Sequence, residues 1–119
     1  MVRILLADDD ANVRGFAERA LSGEGHVVVT ADDGADALRQ LESGSFDLLI
    51  SDLDMPGVDG FELVSRLPGR LSGLKVLLIS GHAEELKRAA GLPPGRSATL
   101  SKPFTLQQIR GAVAELLAR

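Results

Sequence analysis

The sequence predicts an α/β domain in which five strand–helix units fold into one parallel sheet covered by helices on both faces. Three observations predict it. Short runs rich in Val, Ile and Leu recur five times, each followed by a segment of helical periodicity. Several of these runs are almost wholly apolar rather than alternating, which fits strands buried on both sides. Glycine, proline and serine sit at the junctions, where turns are needed.

The elements follow in order. VRILLA (Val2 to Ala7) is a short apolar run that stops at acids and reads as the first strand. Val13, Phe16, Ala17, Ala20 and Leu21 fall at i, i+3, i+4, i+7 and i+8, one face of a helix that Gly23 and Gly25 end. HVVVTA (His26 to Ala31) is β-branched and strand-like. A second helix starts at Gly34 with Ala35, Leu38 and Leu41 inward and closes at Ser43-Gly44. FDLLIS (Phe46 to Ser51) is the third strand. After a Pro-Gly break, Val58, Phe61, Val64 and Leu67 mark a third helix, halted by Pro68-Gly69. KVLLIS (Lys75 to Ser80) is the fourth strand, followed by a short helix around Ala83 to Ala90 that Gly91 and Pro93-Pro94 cut off. SATLS (Ser97 to Ser101) is a weak fifth strand, and Leu106, Ile109, Val113, Leu116 and Leu117 form the last helical face.

Composition bounds the function. A chain of 119 residues with 45% hydrophobic and 25% charged residues reads as one domain with a packed core. With no Cys there is no disulfide frame, thiol nucleophile or Cys-based metal site. No apolar run approaches the ~20 residues that cross a bilayer, and no secretory signal is visible, so the domain reads as cytoplasmic. The net charge of −4 and the scattered basic residues argue against direct nucleic-acid binding. The four aromatic residues, all Phe, offer no base-stacking surface.

Acids gather where strands end. In open parallel sheets, functional groups collect at the carboxyl ends of the strands. The first strand ends in Asp8-Asp9-Asp10, and the third in Asp52 with Asp54 two residues on. The fourth ends in Ser80-Gly81 and the fifth in Lys102-Pro103. If the first and third strands are neighbours, Asp8 and Asp9 lie near Asp52, and such crowding invites a divalent cation. Mg2+ suits a few carboxylates with waters and a phosphate oxygen, whereas Ca2+ wants an oxygen-rich loop that is absent here. A carboxylate can take a phosphoryl group, and the transition state needs cations and donors around its oxygens. Mg2+ held by Asp9 and Asp52, the Lys102 ammonium and the Ser80 hydroxyl would supply them.

Four pieces, in order and at these spacings, carry a resemblance: LLADDD (Leu5 to Asp10), LLISDLDMPGVDG (Leu48 to Gly60), LLISG (Leu77 to Gly81) and LSKPF (Leu100 to Phe104). Across essentially the whole chain, 1–119, the sequence resembles a response regulator receiver domain of two-component signalling, the CheY-like group. The resemblance implies a flavodoxin-like (βα)5 three-layer sandwich with strand order 2-1-3-4-5; periodicity does not supply that order. It implies that Asp52 is the phosphoacceptor, taking its phosphoryl group from phosphohistidine. Asp8 and Asp9 are implied to hold Mg2+ with Asp52, Asp9 more directly, and Asp54 through its main-chain carbonyl. Ser80 is implied to turn toward the phosphoryl group on activation, Gly81 to leave access to Asp52, and Lys102 to pair with the phosphoryl group. The Lys102-Pro103 bond is cis in many relatives. Two departures stand out: Thr99 replaces the usual Tyr or Phe of the fifth strand, and GLPPGRS (Gly91 to Ser97) shortens the fourth helix. ISGHAEEL followed by a Pro-containing loop looks more like receivers attached to hybrid sensor kinases than like transcription-factor receivers.

The implied partners are a sensor histidine kinase or histidine phosphotransfer protein and a downstream protein target; weak homodimerisation stays open. The implied switch surface is helix 4, strand 5 and helix 5. With no output domain after Arg119, the domain is expected to signal by binding a partner, to relay phosphate, or to be part of a larger chain. It is expected not to be an enzyme, beyond slow loss of its own phosphoryl group. The alternative is a haloacid-dehalogenase-like phosphohydrolase using Asp52 and Asp54, although that motif normally lies in a first strand. A flavodoxin-like cofactor binder fits worse, because the Asp8-Asp9-Asp10 turn would repel a flavin phosphate. Asp10 and Asp59 read as helix-start residues, the Asp32-Asp33 pair that ends the second strand as the opening of the next helix, and His26 and His82 as surface residues.

Overall fold

The computed structural model describes residues 2–67, 73–90 and 97–119. They form β1 (Arg3–Ala7), α1 (Ala11–Ser22), β2 (Val27–Ala31), α2 (Gly34–Ser43), β3 (Leu48–Asp52), α3 (Gly60–Ser65), β4 (Lys75–Ser80), α4 (Ala83–Ala89), β5 (Ser97–Ser101) and α5 (Leu106–Leu117). The sheet is parallel and ordered β2-β1-β3-β4-β5. The expected strand–helix alternation and strand order both hold. The expected helix stops at Pro68-Gly69 and within 91–96 lie outside the described residues.

Strand alternation divides the core in two. Leu5 and Ala7 of β1 pack with Leu49 of β3 and Leu78 of β4 against Leu41 of α2, Leu63 of α3 and Ala89 of α4. Ile4 and Leu6 pack with Leu48, Ile50, Leu77 and Ile79 against Ala17 and Leu21 of α1 and Ile109 and Val113 of α5. So α1 and α5 cover one face and α2, α3 and α4 the other. Every residue of β3 is buried, because it lies in the middle of a sheet clad on both sides.

The edge strands do not share that burial. Val27 of β2 is exposed and Val28 and Val29 are half-buried, since an edge strand lacks a neighbour on one side. His26, expected at the surface, is half-buried, and its Nδ1 accepts a hydrogen bond from the Val2 amide (3.3 Å).

Two helix faces differ from the expected phase. In α2 the buried positions are Gly34, Ala37 and Leu41, and Ala35 is exposed. Gly34 decides this: a Cβ there would lie 1.8 Å from the carbonyl oxygen of Val58, so that face abuts the chain entering α3. In α3 the buried residues are Gly60 and Leu63, while Phe61 and Val64 pack around the core margin, as do Val58 before the helix and Leu67 after it. Leu106, placed on the last helical face, is exposed at the start of α5.

Helix starts are closed by side chains. Asp10 accepts from the amides of Asn12 and Val13, Asp33 from Asp36 and Asp59 from Glu62. Thr105 and Gln108 close α5 reciprocally. Asp10 and Asp59 are thus the local helix-start residues that the sequence suggests, and of the Asp32-Asp33 pair it is Asp33 that caps α2.

Candidate functional site

The carboxyl end of the sheet gathers three acids and a lysine from three strand ends. Asp8 follows the last residue of β1 and is fully buried. Its Oδ1 accepts a hydrogen bond from the Asp10 amide (2.9 Å), and its Oδ2 lies 2.9 Å from Nζ of Lys102. That ammonium is the one partner of Oδ2 among the described residues. Asp52 closes β3, with side-chain exposure of only 7%. Its Oδ1 accepts from the Asp54 amide (3.1 Å) and its Oδ2 from Nζ of Lys102 (3.0 Å). Asp9 is exposed beside them, and one carboxylate oxygen each from Asp8, Asp9 and Asp52 lies within 4.8 Å of the others.

Backbone geometry holds this cluster. The β1–β3 register pairs Ala7 with Ser51, which sets Asp8 and Asp52 side by side. Arg14 of α1 donates to the carbonyl of Asp8 (2.7 Å). Behind Asp52, a Cβ on Gly60 would lie 2.6 Å from the Asp52 carbonyl, so only glycine lets α3 start so close to the strand. Gly57, at φ +75°, turns the chain after Met55-Pro56. Across the site, the Lys102 amide donates to the Ser80 carbonyl (2.8 Å), tying the end of β4 to the lysine. The Lys102-Pro103 peptide bond is cis.

Electrostatics follow from burial and crowding. Burial raises the pKa of Asp8 above its ordinary 3.8, and the Asp52 charge adds to that. The Asp10 amide and Lys102 oppose it. Burial alone would lower the pKa of Lys102, but its contacts with Asp8 and Asp52 outweigh that and raise it. Two carboxylates thus share one ammonium. This donor set fits a hard divalent cation: carboxylates in excess of the local cation, with open space on the Asp9 side.

The remaining expected residues divide into two groups. Asp54 contributes its amide to Asp52, while its exposed carboxylate pairs with Nε2 of His82 (3.5 Å). Ser80 is fully buried, and its hydroxyl is engaged by the start of α4 and the residue before it: Oγ donates to Oε1 of Glu85 (2.7 Å) and accepts from the His82 amide (2.9 Å). A Cβ on Gly81 would meet only Cβ of Lys102 at 4.0 Å, so packing does not demand glycine there. Thr99 is exposed on β5, and with Ala89, Ala98 and Ala112 it lines a shallow groove of about 420 Å³ between β5 and its flanking helices.

Sequence reasoning missed Glu85. An acid in the first turn of a helix is ordinary, since the helix dipole favours it. Nothing in ISGHAEEL marks Glu85, rather than Glu84, as the partner of Ser80. His82 is exposed, as expected, and lies 3.5 Å from the equally exposed Asp54 carboxylate.

Comparison with known proteins places this geometry in context. Residues 4–114 match the family described as "Response regulator receiver domain". The chain is 38% identical to response regulator MprA of Mycobacterium tuberculosis over 118 residues, covering 99% of this chain and 51% of MprA. It therefore spans about half the length of the curated relatives that it matches. Among solved structures it is similar to the receiver domain of hybrid histidine kinase CckA, with 35% identity and a TM-score of 0.81, covering 97% of this chain and 98% of that one. It is also similar to response regulator TrrA of Thermotoga maritima, solved in complex with Mg(2+)-BeF, with 29% identity and a TM-score of 0.83, covering 98% of this chain and 99% of TrrA.

Proposed function

We propose a function from a plain premise: the chain belongs to the response regulator receiver domain family. We read residues 1–119 as one receiver domain that takes a phosphoryl group onto Asp52 and switches a partner-binding surface. One observation carries this reading. A nearly buried carboxylate, oriented by an amide and an ammonium, stands within 4.8 Å of two further acids.

In the proposed reaction the P–N bond of a phosphohistidine breaks and an Asp52 carboxylate oxygen forms the new P–O bond. The imidazole nitrogen keeps the bonding pair and takes a proton from solvent. The Asp54 amide and Lys102 fix the plane of the Asp52 carboxylate for attack. Lys102 then follows the charge onto the phosphoryl oxygens, which its long stem permits. Ser80 rotates to donate to a phosphoryl oxygen. Asp8, Asp9, Asp52 and the Asp54 main-chain carbonyl would hold Mg2+, which when bound neutralises the crowded acids and the developing phosphoryl charge. The changed site biases α4, β5 and α5 between two settings, as other phospho-switches do.

The donor would be a sensor histidine kinase or a histidine phosphotransfer protein, and the recipient of the signal a protein target. No direct nucleic-acid contact is proposed for these residues, whose net charge is −4. Among the described residues no helix is long and apolar enough to cross a membrane, consistent with a cytoplasmic setting. The domain is read as a stoichiometric phosphoacceptor rather than a turnover enzyme; the family match gives the phosphohydrolase alternative no support.

The test is intact-mass spectrometry after acetyl phosphate with Mg2+. One phosphoryl group per chain is expected on the wild type and none on Asp52→Asn. Unchanged labelling of Asp52→Asn would overturn the assignment, and steady multiple turnover of a phosphoester would favour the hydrolase.

A further inference from the structure

A serine hydroxyl has one proton to donate. At Ser80 that proton is already spoken for, because Oγ donates to Oε1 of Glu85 at 2.7 Å. We propose that Glu85 is a positioning residue that holds Ser80 away from Asp52 and competes with the phosphoryl group for this proton. The inference rests on Asp52 being the phosphoacceptor and extends that reading to how the site is restrained before phosphorylation.

Several observations support it. Ser80 is fully buried at the end of β4, so bulk water cannot take over either of its hydrogen bonds. Its hydroxyl uses its donor on Glu85 and one acceptor position on the His82 amide (2.9 Å). The Ser80 carbonyl is tied to the Lys102 amide (2.8 Å), which keeps the backbone in place. Any change in Ser80 is therefore a rotation of its side chain. A bond from a hydroxyl to a carboxylate is among the stronger kinds, so the restraint is substantial. Glu85 is half-buried and can return to water once released. Its carboxylate also lies within 4.8 Å of ligand atoms of Asp54 and His82, so the imidazole is within reach.

The contact gives the site a direct handle on α4. Glu85 belongs to the first turn of that helix (Ala83–Ala89), so releasing Ser80 frees the helix start from the end of β4. This chain carries Thr99 where many receivers carry an aromatic, and the Ser80–Glu85 bond offers a route from Asp52 to the α4 surface that needs no aromatic.

The experiment measures beryllofluoride binding in the presence of Mg2+ by calorimetry. The proteins are wild type, Glu85→Ala, Ser80→Ala, the double variant, and Glu84→Ala as a charge control on the same helical turn. Glu85→Ala is expected to bind about three- to tenfold more tightly than wild type, tenfold corresponding to about 1.4 kcal/mol. No such gain is expected on the Ser80→Ala background, since the effect passes through the hydroxyl. Three results would overturn the proposal: unchanged affinity in Glu85→Ala, an equal gain without Ser80, or an equal gain in Glu84→Ala, which would reduce the effect to net charge. Failure of the wild type to bind beryllofluoride would instead remove the Asp52 reading, and this inference with it.

Discussion

The two halves of the site are built in opposite ways. At the ends of β1 and β3, Asp8 and Asp52 are buried and each is pinned by a backbone amide two residues on. At the ends of β4 and β5, Lys102 reaches in on a long flexible stem and Ser80 is a rotor held by Glu85. The acid half is fixed and electrostatically costly; the donor half is adjustable. In the proposed function, fixed acids would serve a cation and a nucleophile that must be in place beforehand. Adjustable donors would serve a group that arrives later and whose charge has to be met only then.

The largest effect on this contrast is expected from Lys102→Met. The change removes the ammonium lying 2.9 Å from Asp8 and 3.0 Å from Asp52 and leaves two buried carboxylates facing each other. Breaking a buried pair from one side costs about 3 kcal/mol or more, so urea melts of the metal-free protein at neutral pH should show a loss of that size. Mg2+ should recover part of it. A loss under about 1 kcal/mol would mean that the acids are well solvated and the acid half is not strained.

A smaller effect of opposite sign is expected from Asp8→Asn. With Asp8 ionised, two acids share one ammonium; without it, Lys102 and Asp52 form a single pair. Metal-free stability should rise by about 1 kcal/mol. The response to Mg2+ should shrink at the same time, from the ~2.7 kcal/mol that a ligand at a hundred times its Kd provides. The pH dependence carries a matching sign. The pKa of Asp8 is raised in the fold, so its contribution is most favourable below 3.8 and is lost as pH rises through the folded value. Asp8→Asn should flatten that decline in melts across the acid range. An unchanged pH profile would separate Asp8 from the strain.

The acid half was largely legible in the sequence and the donor half only partly so. Asp8, Asp9 and Asp52 stand out because carboxylates at the ends of apolar strands are costly unless used. Strand alternation fixes which face each strand residue covers, so the sheet could be read from its apolar runs. Helix phase was less secure. Ala35 and Ala37 are both small and apolar, and only the close approach of Gly34 to Val58 decides between them. Leu63 was overlooked because Phe61 and Val64 offered an equally good helical spacing. Glu85 was invisible for a different reason: its role depends on the rotamer of Ser80, and one-dimensional spacing does not encode rotamers.

The smallest effect sharpens the contrast within a single run of three acids. Asp8, Asp9 and Asp10 are adjacent and chemically identical, yet the fold gives each a different setting. Asp8 is buried against Lys102, Asp9 is exposed beside Asp52, and Asp10 spends its Oδ1 on the amides of Asn12 and Val13 at the start of α1. Asp10→Ala should therefore cost about 1 kcal/mol, the usual value of a lost helix cap. It should leave the stabilisation by Mg2+ unchanged, because its carboxylate faces the helix rather than the cluster. Paired urea melts with and without Mg2+ read both quantities from one protein. A weakened response to Mg2+ in Asp10→Ala would show that the third acid also serves the cation. The acid half would then extend one residue further into α1 than its hydrogen bonds indicate.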